Sequence, residues 1–137
     1  MTPVSRLACL GLAALFLVTP IGCGGGSNDA TSSGQPSGKD ALSDFASLLK
    51  ELKVAGKRAP LRVADLGDAD ATNPAGTGAL TRGEITYFWG NGIGEGQAVI
   101  AYGKEVPTAG GFVLLQDGTV KTMTAAEFAA APKAAKK

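Results

Sequence analysis

Gly111-Phe112-Val113-Leu114-Leu115-Gln116-Asp117-Gly118-Thr119-Val120-Lys121-Thr122 is the stretch that decides the fold class. An apolar run meets Asp-Gly, and a second segment with β-branched residues follows. Such residues suit a pleated surface. Asp-Gly supplies the positive φ that a type I′ turn needs at both central positions, the shortest way to join antiparallel strands. The stretch predicts a β-hairpin, and with it an antiparallel sheet.

Working upstream, Ala98-Val99-Ile100-Ala101-Tyr102 and Ile85-Thr86-Tyr87-Phe88-Trp89 carry the same β-branched and aromatic signature. The loops Gly90 to Gly96 and Gly103 to Gly110 separate these runs, giving three or four strands. With the two-residue period of a strand, Tyr87 and Trp89 share one face while Phe88 and Thr86 take the other. Tyr87, Trp89 and Tyr102 are thus either core or an exposed aromatic binding surface.

Further upstream, Leu42, Phe45, Leu49 and Leu52 recur at helical spacing. Ser37-Gly38-Lys39-Asp40 has the spacing of a capping box, Lys50 and Lys53 lie late where the helix dipole favours cations, and Gly56 is placed to end the helix. Lys57 to Pro60 reads as a turn, Leu61 to Leu66 as a short helical turn, and Gly67 to Gly78 as loop. Downstream of the hairpin, Thr124-Ala125-Ala126-Glu127 is a second capping box opening a short helix that Pro132 halts, and Lys133 to Lys137 reads as a solvated basic tail. The expected fold class is α+β: a long N-terminal amphipathic helix packed on a small antiparallel sheet of three or four strands, closed by a short C-terminal helix.

Two stretches resemble the globular heads of type II secretion pseudopilins and related pilin-like proteins. Gly56-Lys57-Arg58-Ala59-Pro60-Leu61-Arg62-Val63-Ala64-Asp65-Leu66 is similar to their "Gly-x-x-Pro … Asp-Leu" passage after the long helix, and 111–120 is similar to their terminal hairpin. The resemblance implies a pilin-like head that works by protein–protein contact. The hydrophobic assembly helix and methylation motif of that family are absent, which implies a head that does not polymerise by the pilin route.

At the start of the chain, Arg6 precedes the apolar run Leu7 to Val18, which Thr19-Pro20 ends. About a dozen apolar residues match a signal-peptide core and fall short of the roughly 20 needed to span a bilayer. Ile21-Gly22-Cys23 then resembles the lipobox of bacterial lipoproteins, with Pro20 departing from the usual aliphatic residue. The resemblance implies cleavage before Cys23 and lipidation of its sulfur. Gly24 to Gly38 is rich in Gly and Ser, the composition of a flexible tether. The domains expected are a lipoprotein signal peptide over 1–22, a disordered tether over 23–38, a single α+β domain over 39–132, and a basic tail over 133–137. The localisation expected is export, with a lipid anchor in a bacterial membrane and the head in the periplasm or on the cell surface.

The composition narrows the chemistry. There is no histidine, so no imidazole base, triad or zinc ligand is available, and the first of the two cysteines, Cys9, is expected to leave with the leader. Lys and Arg total 13 against 12 Asp and Glu, with no clustered basic face of the kind that binds nucleic acid. Glu84, Glu95, Glu105 and Glu127 are scattered, and no nucleophile elbow is present. No enzyme activity is expected.

One loop offers a metal. Asp65, Asp68, Asp70 and Asn73 place four oxygen ligands close together in sequence, a chemistry that suits Ca²⁺, although no glutamate closes the loop as in an EF-hand. Gly90 to Gly96 superficially resembles a phosphate cradle, but a strand follows it where a helix N-terminus is required. The expectation is a non-catalytic, lipid-anchored envelope protein with an envelope protein partner. The alternative is a ligand-binding module for Ca²⁺ or a cell-wall fragment. A weaker third is attachment to peptidoglycan through Lys137.

Overall fold

The computed structural model describes residues 37–136. The segments expected to be a signal peptide and a tether, Cys23 among them, lie outside the described residues up to residue 36, as does Lys137.

The first helix, α1 (Gly38–Val54), begins where Ser37 accepts a hydrogen bond from the Asp40 amide at 3.2 Å. Its Ala41, Leu42, Phe45, Ala46, Leu48 and Leu49 are buried. Gly56 sits at φ 68, and the chain reverses there with Lys57 N–H donating to Leu52 O (2.8 Å) and Gly56 N–H to Lys53 O (3.1 Å). These two bonds form the motif in which a left-handed glycine satisfies the last carbonyls of a helix.

The segment expected to be loop over 67–78 is helical. A 3₁₀ segment (Val63–Ala71), kinked at Gly67, leads into α2 (Pro74–Thr81). Its glycines made it read as loop, since each costs a helix about 1 kcal/mol relative to Ala. The structure shows what overrides that cost. A methyl group on Gly76 would lie 2.6 Å from the Phe45 amide nitrogen, so the two helices cross backbone to backbone at a point only glycine permits. Pro74 at the first helical position is pre-set for a helix start. Asp44 of α1 accepts from the Gly76 amide at 2.8 Å, so the cap of α2 comes from another helix.

Four strands follow in a meander of order β1-β2-β3-β4, every pair antiparallel. They are β1 (Ile85–Tyr87), β2 (Val99–Gly103), β3 (Gly111–Leu115) and β4 (Val120–Met123). A one-turn helix, α3 (Val106–Ala109), interrupts what reads as loop between β2 and β3, and α4 (Ala125–Ala130) follows β4. The fold is α+β around a four-stranded antiparallel sheet. The capping box at α4 forms with both bonds: Thr124 N–H donates to Glu127 at 2.7 Å and Glu127 N–H to the Thr124 hydroxyl at 3.2 Å.

The hairpin turn differs from the type I′ expectation. Gly118 N–H donates to Leu115 O and Leu115 N–H to Thr119 O, with Gly118 at φ 85. That is a three-residue connection in which the turn is followed by a left-handed glycine bulge, the next commonest hairpin after the two-residue one. The Asp117 side chain closes it by accepting from the Thr119 amide at 2.8 Å.

A bulge in β2 sorts the core into two clusters. Val99 faces Leu115 and Ala101 faces Leu114, so Ile100 is the extra residue between them. Ile100, Ala101, Leu114, Ile85 and Tyr87 pack with α1 and α2 on one side. Val99, Val113, Leu115 and Met123 pack with Val106 of α3 and Phe128 of α4 on the other. Both faces of the sheet are therefore covered.

The C-terminal segment is no free tail over its described length. Because β1 is short, Val99 is unpaired by it, and residues 132–134 take that place: Val99 N–H donates to Pro132 O (2.8 Å) and Ala134 N–H to Val99 O (2.9 Å). The Lys133 ammonium lies 4.6 Å from the Phe128 ring centre and donates to the carbonyls of Phe128, Ala129 and Ala131, which caps α4.

Candidate functional site

The aromatic residues resolve into two groups along the alternation of β1. Tyr87 is buried; its ring meets Phe45 edge-on at 4.9 Å and Trp89 at 5.1 Å, and its hydroxyl donates to the Asn91 carbonyl. Burial pushes its phenol pKa well up. Tyr87 is a core residue and presents no binding surface. Trp89 is half-buried beside it. Tyr102, on the opposite face, is half-buried between Phe88 (5.8 Å) and Phe128 (4.7 Å). The three residues do not form one platform.

The four oxygen ligands of the acidic stretch are also dispersed. Asp65 accepts from the Leu61 amide at 3.0 Å and from Arg62 at 3.1 Å. The Leu61 N–H first, then Arg62, holds its carboxyl below the usual range. Asp70 lies 2.7 Å from the Thr77 hydroxyl, which also reaches the Asn73 carbonyl at 2.7 Å. Asn73 is buried against Asp44. With its amide turned so that nitrogen meets oxygen, it donates to the Asp44 carbonyl (3.1 Å) and carboxylate (3.3 Å). Asp68 is exposed. Asp65 and Asp70 hold local turns and Asn73 joins the start of α2 to α1, and among the described residues no three acidic, cysteine or histidine side chains converge as a metal site.

The site that sequence reasoning missed is a groove of about 520 Å³ at the C-terminal end of α1. Three segments build it. The last turns of α1 contribute buried Leu49, half-buried Leu52 and exposed Lys53. Past Gly56 the reversed chain hangs Lys57 and Arg58 over that end, and Pro60 O fixes it by accepting from the Gly90 amide at 2.9 Å. The Gly90 to Gly96 loop forms the opposite wall with half-buried Ile93.

This loop is held at several points. Buried Asn91 donates to the carbonyls of Phe88 (2.7 Å) and Ala135 (2.8 Å), and Gly94 N–H donates to Gln116 O (2.8 Å). Its glycines thus form a fixed wall and not the flexible connection they suggest in the sequence.

The charge of the groove is one-sided. Among the described residues its lining includes Lys53, Lys57 and Arg58 and no carboxylate. Among the described residues these three form no ion pair, whereas Arg62 pairs with Asp65 and Arg82 with Glu84. Glu51, Asp65 and Asp68 line a neighbouring groove of about 530 Å³, of which Lys57 and Arg58 are also walls. The position suits cations, because α1 ends there with the negative end of its dipole. In the sequence the signal is Lys53, Lys57 and Arg58 flanking a helix-ending glycine; the apolar floor needs Ile93, far along the chain, beside Leu49 and Leu52.

No helix among the described residues is long and apolar enough to cross a membrane. Compared with known proteins, the chain matches no family model, no curated protein and no solved structure.

Proposed function

We propose that this chain is a lipid-anchored, non-catalytic protein of the bacterial envelope whose folded head acts by binding. The observation that carries this reading is the order Arg6, apolar Leu7 to Val18, Ile21-Gly22-Cys23 and the Gly/Ser-rich stretch to Gly38. In it Cys23 bears the lipid, and about 15 tether residues give the head a root-mean-square reach of roughly 20 Å. The pilin-like resemblance suggests a protein partner in the envelope, associated with secretion, met by a head whose long first helix lies on the sheet.

Replacing Cys23→Ser tests the anchor. The variant is expected to leave the membrane fraction and to lose the acyl mass on its N-terminal peptide; unchanged membrane retention refutes the anchor. Cross-linking in the native cell tests the partner, with secretion or pilus components expected among the captured proteins.

A second reading, an envelope ligand-binding module, is favoured by one specific observation. The groove at the end of α1 combines an apolar floor with three cations that have no ion-pair partner among the described residues.

A further inference from the structure

We infer that the groove at the C-terminal end of α1 binds an anionic amphiphile, a single apolar chain ending in a carboxylate. The inference rests on the ligand-binding reading of that groove and is independent of the anchor.

Two features point to this class of ligand. The first is the division of the lining. Leu49, Leu52 and Ile93 form an apolar floor, and Lys53, Lys57 and Arg58 stand exposed at its rim. A chain lying on the floor places its terminal anion among the cations, where both ends of the ligand find complementary surroundings. The groove, at about 520 Å³, falls within the range of pockets that take small ligands, roughly 300–1,000 Å³. Leu61, 59 % exposed, extends the apolar surface at the edge.

The second feature is the location of the negative charge. Glu51, Asp65 and Asp68 line the neighbouring groove, on the other side of Lys57 and Arg58. A broad anionic surface, such as a bilayer, would lie against those carboxylates as well as the cations. Among the described residues, the charged groups that a ligand confined to the first groove meets are Lys53, Lys57 and Arg58. The observations therefore favour a single small amphiphile over a membrane surface. The ammonium and guanidinium groups also suit a carboxylate in different ways: lysine as a mobile point charge, arginine as a planar fork that takes both oxygens.

The chain carries its own reporter. Trp89 is the single tryptophan, directly precedes Gly90 of the groove wall, and is half-buried. The test is a fluorescence titration of the full chain with dodecanoate below its micellar range, alongside dodecyltrimethylammonium and dodecyl maltoside. Amide shifts over 53–59 and 90–93 locate the binding. The Lys57→Glu/Arg58→Glu double variant changes two exposed side chains and keeps the core intact, and Lys104→Glu, in the turn after β2, serves as the charge control.

Saturable binding of dodecanoate alone, weakened about tenfold in the double variant and unchanged in Lys104→Glu, is the expected result. Equal binding of all three amphiphiles removes the anionic specificity while leaving a ligand-binding groove. No response to any of them overturns both readings. Binding to phosphatidylglycerol vesicles without binding of, or competition by, dodecanoate overturns the proposal in favour of a membrane surface.

Discussion

The two faces of the sheet are closed by different means. On one, α1 supplies a continuous buried stripe from Ala41 to Leu49, and α2 crosses it at Gly76. On the other, two single anchors do most of the covering: Val106 on a four-residue helix and Phe128 on a six-residue one. Local bonds hold those short helices, through the Thr124–Glu127 capping box and the Lys133 ammonium. One face depends on a long element with many contacts and the other on small elements tied at their ends. The first should fail with the whole domain, and the second should open on its own.

The largest test of that difference is a matched pair of core truncations. Phe45→Ala removes a fully buried ring that touches Tyr87 and should cost about 3–5 kcal/mol, seen as a lower melting temperature and faster amide exchange throughout the domain. Phe128→Ala removes a ring of the same size that is 5 % exposed. Its first effect should be local: faster exchange at Ala131, Ala134 and Val99, whose amides bond the end of α4 and the C-terminal segment, with α1 amides still at the global rate. Identical exchange patterns in the two variants would show that the faces open as one unit.

Gly76→Ala probes the long-helix face at its tightest point. The added methyl would sit 2.6 Å from the Phe45 nitrogen and 2.8 Å from its Cα, so α2 must move away from α1. Overpacking of this kind costs about 1–3 kcal/mol. Helix propensity alone predicts the opposite sign, since alanine favours a helix over glycine by about 1 kcal/mol. A rise in melting temperature would mean that the crossing is looser than the backbone distances require.

That conflict of signs explains what the sequence discloses of this fold. The period of Leu42, Phe45 and Leu49, the Thr124 capping box and the four strand runs all depend on neighbours close in the chain, and local chemistry is enough to read them. α2 is different: its glycines and threonines have a poor local signal, and its reasons for being helical are Phe45 and Asp44, more than 30 residues upstream by the Gly76–Asp44 bond. The pinning of Ala134 to Val99 is equally non-local. The same division holds for function. The cations of the groove could be read along 53–58, but Ile93 and the fixed wall from Gly90 join them only after folding. Tyr87 was ambiguous for a related reason: period two assigns it a face, and only the position of α1 decides that this face is covered.

A smaller effect isolates the cap that joins the two helices of the first face. Asp44→Ala leaves the Gly76 amide without its 2.8 Å acceptor and removes the carboxylate from buried Asn73, which keeps the main-chain carbonyl of residue 44. Loss of a helix cap costs about 0.5–2 kcal/mol. The expected result is a modest drop in melting temperature with exchange quickened at the start of α2. Unchanged exchange there would indicate that Asn73 or solvent replaces the carboxylate.

The smallest effect belongs to the second face and depends on pH. The Thr124 amide, followed by the Thr124 hydroxyl, holds the Glu127 carboxyl below its ordinary value of 4.5. A carboxylate whose pKa is lowered by folding contributes stability above the unfolded value, and that contribution is lost as pH falls through the folded one. Glu127→Gln keeps the shape and removes the charge. Its melting temperature should lie slightly below that of the unaltered chain at neutral pH, and the gap should close as pH falls below about 4.5, where protonated glutamate resembles glutamine. Asp65 and Asp117 are also held low, Asp65 chiefly by the Leu61 amide and Asp117 by the Thr119 amide, so both chains lose stability in acid. Those losses cancel in the difference between the two chains. A gap that persists unchanged into acid would show that the cap acts through its shape and that charge adds nothing. Exchange at Phe128 and Ala131 then locates the effect, because both amides bond within the helix that Thr124 opens. Confinement of the change to those amides is what a locally tied face requires.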